Sequence, residues 1–148
     1  MNIENHNNTY YYLLFDVGKT LYAVSTKYVG YIISASEQFQ CCTLPGMPSY
    51  VNTVMDMGEK MVPIIDLNNF KEHKELEVCE TQIQRRLILI LNYCNVPIGL
   101  LTDRISLSSE QGEVRTETDP ISQHIIVKVG GRNFVLFNVP EFYHQLKM

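Results

Sequence analysis

Residues 43–67, TLPGMPSYVNTVMDMGEKMVPIIDL, predict a β-hairpin that follows a proline-rich approach. One strand ends near Met55, a tight turn follows at Met57-Gly58-Glu59, and a second strand returns to Leu67. Pro63 fixes one backbone angle of the second strand and removes one hydrogen-bond donor. Two prolines and a glycine at positions 45–48 disfavour a regular helix before the hairpin. This stretch therefore indicates a β architecture.

Two further hairpins are predicted, one on each side of this stretch. The C-terminal hairpin has two glycines between its β-rich segments. They suit a two-residue turn, because both central residues of such a turn have positive φ. The strand and turn residues are 10–17, Gly18-Lys19 and 21–24 for the first hairpin, and 125–129, Gly130-Gly131 and 133–137 for the second.

The remaining pattern is also mostly β. Residues 87–91, a run of Leu and Ile, are typical of a central strand buried on both faces. Asn138 is predicted to cap a final helix that runs to about Leu146. The other predicted segments are a helical turn at 26–29, strands at 30–33, 96–102 and 105–107, an irregular segment at 34–42, a charged connector at 68–80 and a polar loop at 108–120. Closed barrels are expected, because closure removes exposed strand edges.

The length and charge of the chain narrow the function further. We expect one domain over residues 9–148, preceded by a mobile polar tail at residues 1–8. The net charge of −4 argues against a nucleic acid or an anionic membrane as partner, since either needs a basic face. The sequence has no apolar run of about 20 residues and no signal-peptide pattern at its start. We therefore expect a cytoplasmic protein without direct membrane insertion.

Residues that could carry catalysis or bind a metal are few. The four cysteines include no C-x-x-C pair, and no two of the four histidines have the short spacing of metal ligands. Nucleophile-elbow and phosphate-binding glycine motifs are absent. Asp66 and Asp103 each close an apolar strand, where Asp commonly caps a turn. We expect no enzyme activity, no cofactor and no metal site, and an enzyme built on these two carboxylates is the alternative.

Motif residues follow one another along the chain in a recognisable order. They are Phe15-x-Val17-Gly18-x-x-x-Tyr22-x-Val24, Val29-x-x-Ile32, Leu44-Pro45, Pro48-x-Tyr50-Val51, Met61-Val62-Pro63-Ile64-Ile65-Asp66-Leu67, Leu89 to Leu91, Gly99-Leu100-Leu101-Thr102-Asp103-x-Ile105 and Val135-Leu136-Phe137-Asn138. This order resembles the CheW family of chemotaxis coupling proteins over about residues 9–146. The V-P-I-I-D-L run at its distance from Pro48, followed by G-L-L-T-D, is its most specific part.

The resemblance implies a fold of two small interleaved five-stranded SH3-like β-barrels with a short C-terminal helix and a hydrophobic groove between the barrels. It also implies a non-enzymatic adaptor that couples chemoreceptors to a CheA-type histidine kinase in bacterial chemotaxis signal transduction. The implied partners are the regulatory domain of the kinase and the cytoplasmic tips of the chemoreceptors. Such a protein is recruited to receptor clusters at the inner membrane.

The hairpin turn departs from the family pattern. Where the family usually has Asn-Leu-Arg-Gly, this chain has Asp56-Met57-Gly58-Glu59, so the family's arginine falls on Gly58 and its glycine on Glu59. A common acidic residue of the family falls on Tyr31. An arginine offers five donors in a rigid fork, and Glu59 brings the opposite charge. If that arginine helps to bind a partner, this protein should dock differently.

Protein-binding residues are predicted from their positions in the family pattern. The residues expected on groove or barrel-barrel surfaces are Val29, Ile32, Leu44, Val54, Met55 and Leu100, and those on the partner-facing turn are Met57, Gly58 and Glu59. Some of the strand residues are expected to be core, as Val, Ile and Leu usually are. Two other functions stay open: a small-molecule-binding β-barrel, and a CheW-like paralogue that serves a different sensory pathway.

Overall fold

The computed structural model describes residues 12–34, 41–42, 46, 48, 50–67, 87–107, 115–121 and 123–146. The strands are β1 (Tyr12–Val17), β2 (Thr20–Ser25), β3 (Val29–Ser34), β4 (Cys41–Cys42), β5 (Val51–Asp56), β6 (Met61–Ile65), β7 (Leu87–Tyr93), β8 (Val96–Thr102), β9 (Arg104–Leu107), β10 (Arg115–Thr118), β11 (Ile125–Val129) and β12 (Arg132–Leu136). A 3-10 turn covers Thr26–Tyr28, and helix α1 covers Val139–Leu146. The predicted tail at residues 1–8 and the charged connector at 68–80 lie outside the described residues.

The chain divides into two compact units made from different parts of the sequence. The first unit contains residues 1–28 and 105–148, and the second contains residues 29–104. Each has one six-stranded sheet, in the order β10-β11-β12-β2-β1-β9 for the first unit and β3-β7-β8-β6-β5-β4 for the second. The second sheet reaches six strands through the two-residue strand β4. The chain thus enters the first unit, forms the second and returns to the first.

An aromatic cluster lies in the first unit. Phe15 in β1 and Tyr22 in β2 are direct cross-strand partners, and their rings stack with centroids 5.2 Å apart. Phe137, which follows β12, lies edge-on to these two rings at 5.8 Å and 5.9 Å. Phe142 of α1 packs on Phe137 with a centroid distance of 4.8 Å. Because all of these side chains are buried, the cluster joins the first hairpin to the last strand and helix.

The hairpins predicted on each side of the opening stretch are confirmed. Gly130 and Gly131 join β11 to β12 with φ values of 56° and 79°, as a type I′ turn requires. Gly18 in the turn between β1 and β2 has a φ of 60°. Parallel pairing of β12 with β2, through Val135 opposite Tyr22, joins the two hairpins into one sheet.

Two short strands occupy segments for which the sequence predicts no regular structure. The prediction of a polar loop over residues 108–120 is wrong at β10, which pairs with β11 at one edge of the first sheet. Likewise, β4 falls within the irregular segment predicted at 34–42 and pairs with β5. β10 contains no apolar residue, so its backbone pairing with β11 determines that it is a strand. The ion pair between Lys128 and Glu117, at 3.1 Å, also links the two strands.

Asn138 caps helix α1 as the sequence predicts. Its Oδ1 accepts a hydrogen bond from the backbone N–H of Glu141 at 3.1 Å. The carbonyl of Asn138 accepts the N–H of Phe142 at 2.9 Å, which is the first helical hydrogen bond. Val139, Phe142 and Leu146 are the buried residues of the helix. The last helix is therefore fixed both at its start and along one face.

The second unit is centred on β7 and β8. Residues 88–91 of β7 are buried in succession, which confirms the prediction of a central strand covered on both faces. Gly99 of β8 lies between its register partners Ile64 of β6 and Ile90 of β7. A Cβ atom at Gly99 would lie 2.5 Å from Cδ1 of Ile64 and 2.9 Å from Cγ2 of Ile88. Isoleucine side chains from two neighbouring strands therefore fill the space over this glycine.

Candidate protein-binding site

The turn between β5 and β6 is a two-residue turn made by Gly58 and Glu59. The backbone N–H of Met57 donates to the carbonyl of Lys60 at 2.9 Å and closes the turn. Gly58 has a φ of 82°, a value that glycine adopts without strain. The N–H of Gly58 also donates to Oδ1 of Asp56 at 3.0 Å. The local sequence thus fixes the turn, and Glu59 at its tip is exposed.

A second exposed turn lies beside the first. Cys94 and Asn95 join β7 to β8 with φ values of 53° and 62°, the positive values of a type I′ turn. Nζ of Lys60 donates to the carbonyl oxygen of Asn95 at 3.4 Å. This contact places the β5–β6 turn and the β7–β8 turn at the same end of the second sheet. The thiol of Cys94 is free and exposed.

Side chains from three adjacent strands form a row next to these turns, here called the exposed row: Tyr93, Val96 and Met61. Tyr93 of β7 pairs directly with Val96 of β8. β6 and β8 are parallel with Ile64 opposite Gly99, and the same register continued back along both strands places Met61 beside Val96. Residues in register on neighbouring strands point to the same face of a sheet. The exposed row therefore lies on one face.

Exposure changes abruptly along the strands that carry this row. Met61 is 50% exposed, Val96 is 48% exposed and Tyr93 is half-buried, whereas Ile65 and Ile98 on the same face are 0% exposed. Asp56 of β5 is the register partner of Met61 and is also exposed, so the row ends in a carboxylate. Single exposed apolar residues are ordinary, but residues in register on adjacent strands form a continuous surface. The exposed row is the uncovered margin of a buried apolar face.

Met61 and Val96 are absent from the binding residues predicted from the sequence. Each is the first residue of a strand that follows a tight turn. That position is the signal that could have identified them, because the first residue after a turn lies at the margin of the sheet. Apolar character alone does not separate them from the buried Val, Ile and Leu residues of the same strands.

The predicted binding residues differ in their exposure. Glu59 and Gly58 are exposed, Ile32 is 43% exposed, Val29 is half-buried, and Met57 is half-buried against the core of the second unit. Val54, Met55 and Leu100 are 3%, 1% and 0% exposed and belong to the core. Leu44 lies outside the described residues. Binding of a partner by any of these residues stays a prediction.

Tyr31 and Ile32 add exposed apolar surface on β3, which is an outer strand of the second sheet. Tyr31 is 58% exposed, and it occupies the position at which the resemblance implies an acidic residue. The side chains of Tyr31 and Ile32 point to opposite faces, because neighbouring residues of a strand alternate. The surface of β3 is therefore divided between two faces, unlike the exposed row.

The carboxylates that an enzyme would need have different surroundings. Asp66 is 1% exposed, and its backbone N–H donates to the carbonyl of Tyr50 at 3.0 Å, whereas Asp103 is exposed. A buried carboxylate offers no surface to a substrate, which favours a structural role for Asp66. Within the part of the chain that the structure describes, no group of three His, Cys, Asp or Glu residues could hold a metal ion.

The family model of the CheW-like domain matches residues 11–141. The chain belongs to the CheW-like family. The match starts in the first unit, contains the whole second unit and ends within α1. The CheW-like motif residues are mainly core: Phe15, Tyr22 and Phe137 form the aromatic cluster, and the V-P-I-I-D-L run supplies the buried part of β6.

A solved CheW-like protein has a similar fold. The crystal structure of the scaffolding protein TtCheW from Thermoanaerobacter tengcongensis matches with a TM-score of 0.66 at 16% sequence identity, over 87% of this chain and 88% of that chain. The predicted fold class is thereby confirmed: the chain is mostly β, with two interleaved SH3-like barrels and a short C-terminal helix. No curated protein matches the sequence. None of the helical residues described for this CheW-like chain forms a helix long and apolar enough to span a membrane.

Proposed function

We propose that this CheW-like protein is a non-enzymatic adaptor that couples chemoreceptors to a CheA-type histidine kinase in bacterial chemotaxis. The observation that carries the proposal is the family match over residues 11–141, which contains the second unit and most of the first. The structurally similar TtCheW is a scaffolding protein, in agreement with a role based on binding. The partners are the regulatory domain of the kinase and the cytoplasmic tips of the receptors.

An adaptor of this kind acts by holding two proteins close together. Binding the kinase and a receptor at once converts their encounter into a local event with a high effective concentration. Surfaces built on strands suit this task, because paired strands hold their side chains more rigidly than loops do. The protein works in the cytoplasm and is recruited to receptor clusters at the inner membrane.

Binding and co-sedimentation with purified components test this function. The kinase regulatory domain and a receptor cytoplasmic fragment, both from the source organism, are titrated separately into the protein by calorimetry. Receptor-containing membranes are then sedimented with the kinase, with and without the protein. We expect binding to both fragments and more kinase in the pellet when the protein is present. Absence of binding to every kinase and receptor of the organism would refute the function.

A CheW-like paralogue that serves a different sensory pathway is the second candidate, and the β5–β6 turn favours it. Gly58 has a φ of 82°, a conformation that strains any residue with a side chain. An arginine therefore does not fit this turn without a change in its backbone, so the departure from the family affects the geometry as well as the charge. Comparing the affinities for chemotaxis kinases and for other sensory kinases of the organism decides between the two candidates.

A further inference from the structure

Two carboxylates border the exposed row of Tyr93, Val96 and Met61. Asp56 is the register partner of Met61, and Glu59 lies at the tip of the adjoining turn. Both residues are exposed. The backbone N–H of Gly58 donates to Oδ1 of Asp56 at 3.0 Å, which holds this carboxylate in place.

The third charged residue of this turn, Lys60, contacts the neighbouring turn. Nζ of Lys60 donates to the carbonyl oxygen of Asn95 at 3.4 Å, across to the β7–β8 turn. The ammonium group is thereby directed along the end of the sheet. The described surface next to the exposed row therefore combines apolar side chains with two carboxylates and one ammonium group, which points to the β7–β8 turn.

We propose that the exposed row docks a protein segment that presents an apolar side chain flanked by lysine or arginine. Burial of Met61 and Val96 supplies the contact energy, and the carboxylates of Asp56 and Glu59 select the cationic flank. Asp56 is preorganised by its bond to Gly58, so less conformational entropy is lost on binding. This inference deepens the proposed function and rests on it only in that the protein acts by binding other proteins.

The charges disfavour the other occupants of such a surface. A two-fold contact between copies of this chain brings the same patch together from both sides, so the carboxylates of Asp56 and Glu59 from both copies would face each other across one interface. Like charges opposed in this way cost binding energy. Nucleic acids and anionic lipids are repelled by the same two carboxylates. A cationic protein segment is the occupant that these side chains complement.

A pair of synthetic peptides tests the inference independently of any kinase or receptor. Both peptides are amphipathic helices with the same leucine residues, and one carries four lysines where the other carries four glutamates. The full-length protein, labelled with nitrogen-15, is titrated with each peptide and followed through its backbone amide signals at low and high salt. We expect the lysine peptide to shift the amides of Glu59, Met61 and Val96, more weakly at high salt, and the glutamate peptide to leave them unchanged.

Substitutions separate the apolar and the electrostatic contributions. Met61→Asp should weaken binding of the lysine peptide by about tenfold or more, since it removes most of one buried side-chain contact. Glu59→Lys should weaken it by about twofold to fivefold, as expected for a charge at the rim. Glu117→Lys makes the same charge change in the first unit and should leave the affinity unchanged. If Met61→Asp fails to fold, Val96→Thr replaces it, because threonine keeps the branched shape and removes an apolar group.

Several outcomes would overturn the inference. Equal binding of both peptides would show that this surface does not select a cationic flank. Shifts confined to amides away from the exposed row would show that the peptide binds elsewhere. An equal loss of affinity in Glu117→Lys and Glu59→Lys would assign the effect to net charge. Absence of binding to kinases and receptors would refute the proposed function and leave the peptide result unaffected, so the two failures are distinguishable.

Discussion

Replacement of Gly99 by alanine should destabilise the second unit, because the structure leaves no space for the added methyl group. The new Cβ atom would lie 2.5 Å from Cδ1 of Ile64, 2.9 Å from Cγ2 of Ile88 and 3.3 Å from Cδ1 of Ile90. Non-bonded carbon atoms pack at about 3.5–4.0 Å. The Ile64 methyl would therefore have to move by roughly 1 Å. Cγ2 of Ile88 is attached at a branched Cβ and moves only with a change in χ1 or in the strand itself.

The expected loss of stability follows from two opposing effects. Overpacking of a well-packed core costs about 1–3 kcal/mol. Alanine also restricts the unfolded chain more than glycine does, which offsets about 0.4–1 kcal/mol. The midpoints of these two ranges give a net decrease of about 1.3 kcal/mol in the free energy of unfolding. Urea denaturation followed by circular dichroism measures it as a shift of the midpoint at unchanged slope.

A double-mutant cycle with Ile64→Val tests the proposed cause. This second substitution removes Cδ1 of Ile64 and should cost about 0.5–1.5 kcal/mol by itself. In its background, Gly99→Ala should cost less than it does in the wild type, with a coupling of at least about 0.5 kcal/mol. Equal penalties in both backgrounds, or an unchanged midpoint for Gly99→Ala alone, would refute the steric explanation.

Three further substitutions give expected outcomes in the same urea assay. Gly58→Arg should lower the free energy of unfolding by about 1–2 kcal/mol because φ is 82° at this position, and Gly58→Asn should lower it less. An arginine variant as stable as the wild type would show that the turn changes its backbone. Asn138→Ala should cost about 1 kcal/mol of stability through loss of the helix cap, whereas Asn138→Asp keeps an acceptor for the N–H of Glu141. An equal loss of stability in both variants would contradict the capping role of Asn138. Phe137→Ala should cost about 3–5 kcal/mol because the ring contacts three other buried rings, and a loss below about 1 kcal/mol would contradict a central role for the aromatic cluster.

The parts of the fold that the sequence predicted are those with a strong local signal. Gly130 and Gly131 fix a type I′ turn, Asn138 caps a helix, and the Leu and Ile run of β7 has no polar residue to place on a solvent face. In each case the residue type and the local geometry are linked directly. β10 has no such signal, since its polar residues form a strand only because β11 lies beside them.

The candidate site was harder to predict than the fold. Val54, Met55 and Leu100 are valine, methionine and leucine in strands, as are Val96 and Met61, yet the first three are buried and the last two are exposed. The difference is their place along the strand relative to the turns and to the register of β6 with β8. That register is a long-range property, and local sequence patterns do not contain it.

The interleaved path of the chain has a consequence for its synthesis on the ribosome. β3 to β8 lie together in one continuous stretch, so their sheet has all of its strands once residue 104 has emerged. β2 gains its neighbour β12 much later, because Tyr22 pairs with Val135, which is synthesised near the end of the chain. The N-terminal hairpin therefore exposes Phe15 and Tyr22 throughout most of translation. We expect this hairpin to be the segment of the nascent chain that most needs a chaperone until its last strand arrives.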